Sequence, residues 1–390
     1  MKQGWEVKTI NELTTLFADG DWIESKDQSS EGIRLIQTGN VGNGFFKDRG
    51  EKARYISEDT FKRLRCTEIV EGDCLVSRLP DPVGRACLLP DTMEKMITSV
   101  DCTIIRFNEK KIFPKWFLNY SLSKEYFNKV QLQVTGSTRQ RITRKNLGLI
   151  EIPIPPLQEQ QGIVAILDEA FTAIDKAKAN TEQNLKNVKE LFESELQKVF
   201  SEKGDGWEEK SLEDCFKMKS GFNLTSKMMS DDGIYPVFGG NGIAGLHDNF
   251  NLEGSNVIIG RVGALCGNVR HLNEKIWLTD NAFKVVDKKF DFDDAFLTYL
   301  LNFIDLRSYA RQAAQPVISN SSLKDVLLNF PKSLKEQQSI VSKLDALREQ
   351  TKKLETVYEK KLQDLEELKK SVLQKAFSGE LTGNLLQITK

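Results

Sequence analysis

One stretch of this chain is written twice, and that duplication limits the fold more than any other feature. Residues 157–201 (LQEQQGIVAILDEAFTAIDKAKANTEQNLKNVKELFESELQKVFS) align without a gap to 334–378 (LKEQQSIVSKLDALREQTKKLETVYEKKLQDLEELKKSVLQKAFS), at a constant offset of 177. Leu157, Glu159, Gln160, Gln161, Ile163, Val164, Leu167 and Asp168 recur as Leu334, Glu336, Gln337, Gln338, Ile340, Val341, Leu344 and Asp345. A repeat of this period calls for two similar structural units. Within each copy the apolar residues step by three and four, which is the stripe of a coiled-coil seam. The expected seam residues are Ile163, Leu167, Ile174, Leu185, Val188 and Leu191 in the first copy. In the second they are Ile340, Leu344, Leu347, Leu354, Leu365, Leu368 and Val372. At about 1.5 Å per residue each copy would form a rod of roughly 65 Å, unstable in water with its stripe uncovered. An antiparallel pairing of the two rods is the economical solution; pairing of each with a separate protein is the alternative.

The segments before the rods are also alike. Gly4-Trp5-Glu6-Val7-Lys8 parallels Gly206-Trp207-Glu208-Glu209-Lys210. An apolar strand running into a Gly/Asn turn (Arg34–Asn40) parallels Tyr235–Asn241, and a Gly-led strand closed by arginine (Gly72–Arg78) parallels Gly254–Arg261. Short β-rich runs bounded by Gly, Asn and Pro predict a curved mixed sheet. Helical spacing appears over Pro114–Lys129 and Phe292–Arg311, and each module ends in a strand and a proline stop. The expected fold class is α+β, with two mixed α/β modules joined by two long helices in an antiparallel coiled coil and a pseudo-twofold internal repeat. The boundaries are 1–152, 153–203, 204–330 and 331–390.

No apolar run is long enough for a membrane span, and the polar start MKQGWEVKTINELT does not read as a secretory signal. Six cysteines without CxxC pairing read as reduced, mostly buried thiols in a cytoplasmic protein. The net charge of −1 conceals an asymmetry. Residues 1–150 carry 24 Lys+Arg against 20 Asp+Glu, a net of +4, whereas residues 204–330 carry 13 against 17, a net of −4. Diffuse attraction to a polyanion is therefore excluded for the second module, which would need local cationic clusters or a partner.

Two variable modules, each followed by a long helix opened by proline and Leu-x-Glu-Gln-Gln-x-Ile-Val, resemble the specificity subunit of a type I restriction-modification system. The resemblance covers essentially the whole chain. PPLQEQQGIVAILD fits the family pattern closely, whereas FPKSLKEQQSIVSKLD has one proline, set apart by Lys332-Ser333. The resemblance implies a non-catalytic subunit whose two target recognition domains each read half of a split, asymmetric site in double-stranded DNA. Its helices would act as spacer and as the dock for two methyltransferase subunits, to which restriction/translocase subunits add. It implies no cofactor in this chain, with S-adenosylmethionine, ATP and magnesium on the partner subunits.

The residues separately speak against catalysis. There is no GxxxxGK[ST] loop for a triphosphate and no Asn/Asp-Pro-Pro-aromatic element for a flipped adenine. Neither His247 nor His271 belongs to a nucleophile motif, and a Cys266–His271 site competes with a surface histidine beside a core thiol. Gly240–Gly245 matches GxGxxG but lacks the following helix, so a tight turn presenting Asn241 is expected.

The basic run Ser137, Thr138, Arg139, Gln140, Arg141, Arg144 and Lys145 is the strongest candidate for DNA contact. Arginine and glutamine can grip guanine and adenine edges in two places, and hydroxyls and lysine suit phosphates. A solvated basic loop is the alternative. Phe61–Arg65 is a second basic cluster or one helix face. Arg78 and Arg261 close equivalent strands, with Arg85 nearby; they are candidates together with Asn40 and Asn241, although buried structural arginines would look the same. In the second module Arg311, Gln312, Gln315, Asn320 and Ser321 occupy the corresponding loop. Two other classes stay open: a coiled-coil scaffold with two peptide-binding modules, and an enzyme with an unrecognised site.

Overall fold

The computed structural model describes residues 2–136, 140–202, 204, 206–311 and 315–383. The first module runs β1 (Glu6–Thr9), β2 (Thr14–Asp19), β3 (Ile33–Ile36), β4 (Tyr55–Ile56), α1 (Glu58–Leu64), β5 (Cys74–Ser77), β6 (Ala86–Leu88), β7 (Met96–Thr98) and β8 (Cys102–Phe107). It continues through α2 (Pro114–Tyr120), α3 (Lys124–Gln133), α4 (Arg144–Gly148) and β9 (Glu151–Ile154) into the long helix α5 (Leu157–Ser201). The second module follows with β10 (Trp207–Ser211), α6 (Leu212–Cys215), β11 (Lys217–Ser220), β12 (Tyr235–Gly239), β13 (Gly242–His247), β14 (Asn256–Gly260), β15 (Val269–Leu272), β16 (Trp277–Leu278) and β17 (Ala282–Val286). After α7 (Asp294–Phe303), α8 (Asn320–Leu323) and β18 (Leu327–Pro331) comes the second long helix, α9 (Leu334–Ser378).

The two modules have one topology. The sheet β2-β8-β5-β6 corresponds to β11-β17-β14-β15, the sheet β4-β3-β7 to β13-β12-β16, and the ribbon β1-β9 to β10-β18. In both three-stranded sheets one pair is parallel, β3 with β7 and β12 with β16. The central strands read as continuous apolar runs because the sheet is covered on both faces. In β5, Cys74 and Val76 enter one core cluster while Leu75 enters another, and in β14 Val257 and Ile259 separate from Ile258 in the same way.

Chain contacts divide the molecule into two compact units, Met1–Thr181 with Lys360–Lys390, and Glu182–Glu359. Each unit takes half of each long helix, and within each the halves pair antiparallel. In the first, Lys178 meets Glu366 at 2.6 Å and Lys369 meets Asp175 at 3.3 Å. In the second, Lys343 pairs with Glu195, and the Arg348 guanidinium lies 5.0 Å from the Phe192 ring.

The seam departs from the expected list at three places. Ile163, Leu167, Ile174, Val188 and Leu344 are buried, and Leu185, Ile340, Leu347, Leu365 and Val372 are half-buried, but Leu191, Leu354 and Leu368 are exposed. The half-buried neighbours are Phe192, Glu355 and Lys369. The true stripe on α9 runs 351, 355, 358, 362, 365, 369, 372, 376, so two charged residues hold positions that a search for leucine assigns one residue early. Lys369 suits such a position because its stem packs while its ammonium sits 4.8 Å from the Phe171 ring.

The duplicated Glu-Gln pair has a structural task. Gln160 is fully buried; its Oε1 accepts from Phe113 N (2.8 Å) and its Nε2 donates to Pro155 O (2.8 Å) and Lys111 O (3.3 Å). Gln337 repeats the pattern, accepting from Asp293 N (2.9 Å) and donating to Pro331 O (2.9 Å) and Asp291 O (3.0 Å). The preceding glutamates accept indole N–H groups, Glu159 from Trp5 (3.1 Å) and Glu336 from Trp207 (2.9 Å). Each long helix is thereby fixed to the module before it by hydrogen bonds to backbone that would otherwise be orphaned.

The far ends of the helices also serve the modules. Phe200 of α5 packs on Phe296 and Phe303 in the second core. Its counterpart Phe377 of α9 packs on Trp116 (4.8 Å between centroids) and Tyr120 (5.1 Å) in the first. The helical spacing over Pro114–Lys129 resolves into two helices, α2 and α3, because Ser123 caps a new start by accepting from Tyr126 N. All six cysteines are free and buried, as expected. No helix among the described residues is long and apolar enough to cross a membrane.

Candidate DNA-facing site

After α3, Thr135 and Arg141 exchange backbone hydrogen bonds of 2.9 and 3.0 Å. Ile142 N then donates to Arg78 O at the end of β5, and Thr143 caps α4 through Asn146 N. The second module repeats this. Arg311 N donates to Val317 O, Ile318 N donates to Arg261 O after β14, and Ser319 caps α8. The two loops that the sequence pairs therefore sit at equivalent places. Ser137, Thr138, Arg139 and Gln312 lie outside the described residues. Gln140, Arg144, Lys145, Arg311, Gln315, Asn320 and Ser321 are exposed, and Arg141 is half-buried.

Three of the other candidates turn inward. Asn40, 8% exposed, accepts from Gln37 N and donates to Lys47 O, closing its own turn. Arg85 spends its guanidinium on the carbonyls of Val41, Leu79, Pro82 and Thr38, at 2.8 to 3.1 Å. Burial pulls its pKa below the ordinary arginine value. Arg78, 4% exposed, hydrogen-bonds Val100 O, and burial likewise lowers its pKa, partly offset by Asp19. These three side chains brace the loops from beneath. Arg261 resembles Arg78 in donating to Asp280 O, and its guanidinium lies 5.3 Å from the Phe283 ring. Asn241 is exposed in the turn between β12 and β13, and its Oδ1 accepts from Leu265 N. The GxGxxG run is thus a hairpin, without the helix that a dinucleotide would need.

Sequence reasoning missed a second duplicated brace. Thr98 Oγ1 donates to Ile36 O, and Thr279 Oγ1 to Phe238 O, both at 3.1 Å in buried surroundings. They hold the turns whose carbonyls receive Arg78 and Arg261. Extending the alignment of the two modules past the arginines, to Ile97-Thr98 and Leu278-Thr279, would have found them.

The type I restriction modification DNA specificity domain matches this sequence twice, over residues 2–187 and 204–366. The chain belongs to that family. It is 26% identical to the StySPI specificity subunit of Salmonella potsdam over 434 aligned positions, covering 98% of this chain and 90% of that one. The EcoprrI specificity subunit of Escherichia coli is 31% identical over 200 residues, a match spanning only about half of either protein. The fold is similar to a chain in a structure of complex assembly and conformational transition of the type I R-M system (TM-score 0.76, 19% identity, 96% and 98% of the two chains covered). It is also similar to the HsdS subunit from Thermoanaerobacter tengcongensis (TM-score 0.65, 18% identity, 97% and 98% covered).

Specificity subunits of this family recognise DNA and are not catalytic, and this chain is such a subunit. One arrangement could be mistaken for a hydrolase. Ser255 Oγ lies 2.8 Å from His271 Nε2 and donates to Asp294 Oδ2 at 2.5 Å. In a catalytic triad the carboxylate orients the histidine and leaves the serine proton for the imidazole. Here the carboxylate accepts the hydroxyl's hydrogen bond itself. Two of the thiols are held protonated: burial pushes Cys87 up to about 12 and Cys102 up to about 11. Among the described residues no cluster of His, Cys, Asp and Glu could hold a metal ion.

Proposed function

We propose that this specificity subunit reads a bipartite, asymmetric site in double-stranded DNA, one half-site per module. The single observation that carries the proposal is that the ends of two loops, Thr135 and Arg141 in one module and Arg311 and Val317 in the other, are anchored equivalently on modules of one topology. The first loop would use Arg139, Gln140, Arg141, Arg144 and Lys145, with Ser137 and Thr138. The second would use Arg311, Gln312, Gln315, Asn320 and Ser321. The contrast between a cationic and an amide-rich set supports unlike half-sequences, since arginine favours guanine and glutamine favours adenine.

The target recognition domains would be residues 1–152 and 204–330, with 153–203 and 331–390 as spacer helices. These helices would fix the distance between the half-sites and dock two methyltransferase subunits, to which restriction subunits add. Exposed Leu191, Leu354, Val357 and Leu368 give the helices apolar surface for such partners. S-adenosylmethionine, ATP and magnesium would be bound by those partners, in the cytoplasm. Footprinting of the assembled methyltransferase on DNA, guided by mapping methylated adenines in cells with and without the gene, tests the reading. Two protected tracts separated by a constant gap are expected. One continuous tract, or methylation unchanged by loss of the gene, would overturn it.

A further inference from the structure

The end of β2 places acid where the proposed DNA-facing edge carries its arginines. The Asp19 carboxylate lies 3.3 Å from Arg78 Nη1 and 3.5 Å from Arg144 Nε, and Asp101 lies 3.7 Å from Arg141 Nη2. Asp19 meets its two arginines without a fixed hydrogen bond: Asp19 Oδ1 and Arg78 Nε are buried atoms with no hydrogen-bond partner, and Arg144 is held instead by Nη1 donating to Phe17 O at 2.7 Å. A tight pair elsewhere in the same module looks different. Arg106 grips Asp73 through Nε and Nη2, both at 2.7 Å. Among the described residues, these three arginines and two aspartates sum to a net of +1.

The second module supplies an internal comparison. Asp19 pairs in register with Thr103, and Ser220 pairs with Phe283, which makes Ser220 the counterpart of Asp19. Arg78 N donates to Asp101 O and Arg261 N to Asn281 O, so Asn281 replaces Asp101. Val317 stands where Arg141 stands. The acids are thus present in the module whose edge is rich in arginine and absent from the other, so the fold as such does not require them.

We propose that Asp19, assisted by Asp101, is a specificity-determining counter-charge for the first half-site. Binding to arbitrary DNA is driven by neutralising phosphates and releasing counterions. A carboxylate held between two guanidinium groups opposes every phosphate that approaches, whatever the sequence. Base edges that engage Arg141 and Arg144 in two-point contacts offset this opposition only at the correct sequence. Asp19 therefore acts by weakening the wrong complexes more than the right one.

The proposal rests on the reading of this loop as DNA-facing, and one experiment separates the two. Asp19→Asn and Asp19→Ser are compared with the unaltered subunit in the assembled methyltransferase, across a salt series. One duplex carries the sequence mapped by genomic methylation and another has random sequence. Affinity for the random duplex should rise roughly tenfold near 0.1 M salt, with the logarithmic salt dependence steeper by about one. Affinity for the mapped duplex should rise less, so that discrimination falls. Serine serves as the second variant because the sister module carries it there, and a thermal melt reports folding. Unchanged affinity for random DNA, or equal weakening on both duplexes, overturns the counter-charge role. If Arg141→Ala with Arg144→Ala leaves affinity for both duplexes unaltered, the edge does not touch DNA, and the proposal falls with the reading beneath it.

Discussion

Replacing Gln337 by leucine tests whether the duplicated glutamine fixes helix α9 to its module. The side chain is fully buried and makes three hydrogen bonds, accepting from Asp293 N and donating to the carbonyls of Asp291 and Pro331. Leucine has nearly the same volume, so no large cavity confuses the result. It leaves the buried Pro331 carbonyl and the part-buried Asp293 N–H and Asp291 carbonyl without this partner. An unsatisfied buried group costs roughly 1–3 kcal/mol, less for a carbonyl whose second lone pair finds another donor. Added burial of apolar carbons returns about 1 kcal/mol. The net destabilisation of the second unit should be about 1–3 kcal/mol, a sizeable share of the roughly 5–15 kcal/mol that holds a domain together. Two units need not unfold together, so a single melting temperature is a poor readout. Hydrogen exchange read peptide by peptide is better. Amides around Asp293 and the first turn of α7 should lose protection, while those around Phe113, held by the untouched Gln160, keep theirs. A change under 1 kcal/mol near Asp293, or equal loss in both places, would refute the reasoning.

Other perturbations have equally definite outcomes. Phe377→Ala removes a ring packed against Trp116 and Tyr120, and should cost the first module roughly 3–5 kcal/mol although the residue lies more than 200 positions along the chain from either; limited proteolysis should then cut within residues 1–150 first. Because burial holds Cys87 at about 12 and Cys102 at about 11, iodoacetamide at pH 8 should leave both unmodified in the native chain and alkylate them in urea, as mass spectrometry would read. Inserting one heptad at matched positions of α5 and α9 should lengthen the preferred spacer in the methylation map without altering either half-sequence; an unchanged spacer excludes the helices as its ruler.

The repeat and the helix periodicity were legible because both are patterns of residue type along the chain, and burial follows type when a whole face is apolar. The strand pairs Arg34–Asn40 with Tyr235–Asn241 and Gly72–Arg78 with Gly254–Arg261 became β3 with β12 and β5 with β14 for the same reason. Side-chain direction was not legible. Arg78, Arg85 and Arg144 are one residue type, yet Arg85 is buried among four carbonyls, Arg78 is buried on one, and Arg144 stays exposed while donating to Phe17 O. An arginine's direction is set by which carbonyls a tertiary turn leaves without donors, and sequence spacing does not encode that. Two of the three departures along the seam have a related cause: Glu355 and Lys369 occupy positions that residue type alone assigns to leucines one step earlier.

What the two halves of the chain share, and where they differ, divides the molecule by task. Shared positions gather where the long helices join the modules: Trp5 and Trp207, Glu159 and Glu336, Gln160 and Gln337, Phe200 and Phe377. They extend to the braces Thr98 and Thr279, and Arg78 and Arg261, and to backbone positions that set the edge, Gly20 and Gly221, Ile142 and Ile318. Between these shared positions the side chains part company. Asp19 faces Ser220, Thr103 faces Phe283, Thr135 faces Arg311 and Arg141 faces Val317 across the internal alignment. A joint has to place a loop, and the same hydrogen bonds do that whatever the loop contacts. The loop has to distinguish one partner from another, which demands different donors and charges at the same coordinates. Identity beneath the edge and divergence upon it are what two readers of unlike sequences on a common frame require. A scaffold with two equivalent peptide sites would instead repeat its contact residues along with its joints.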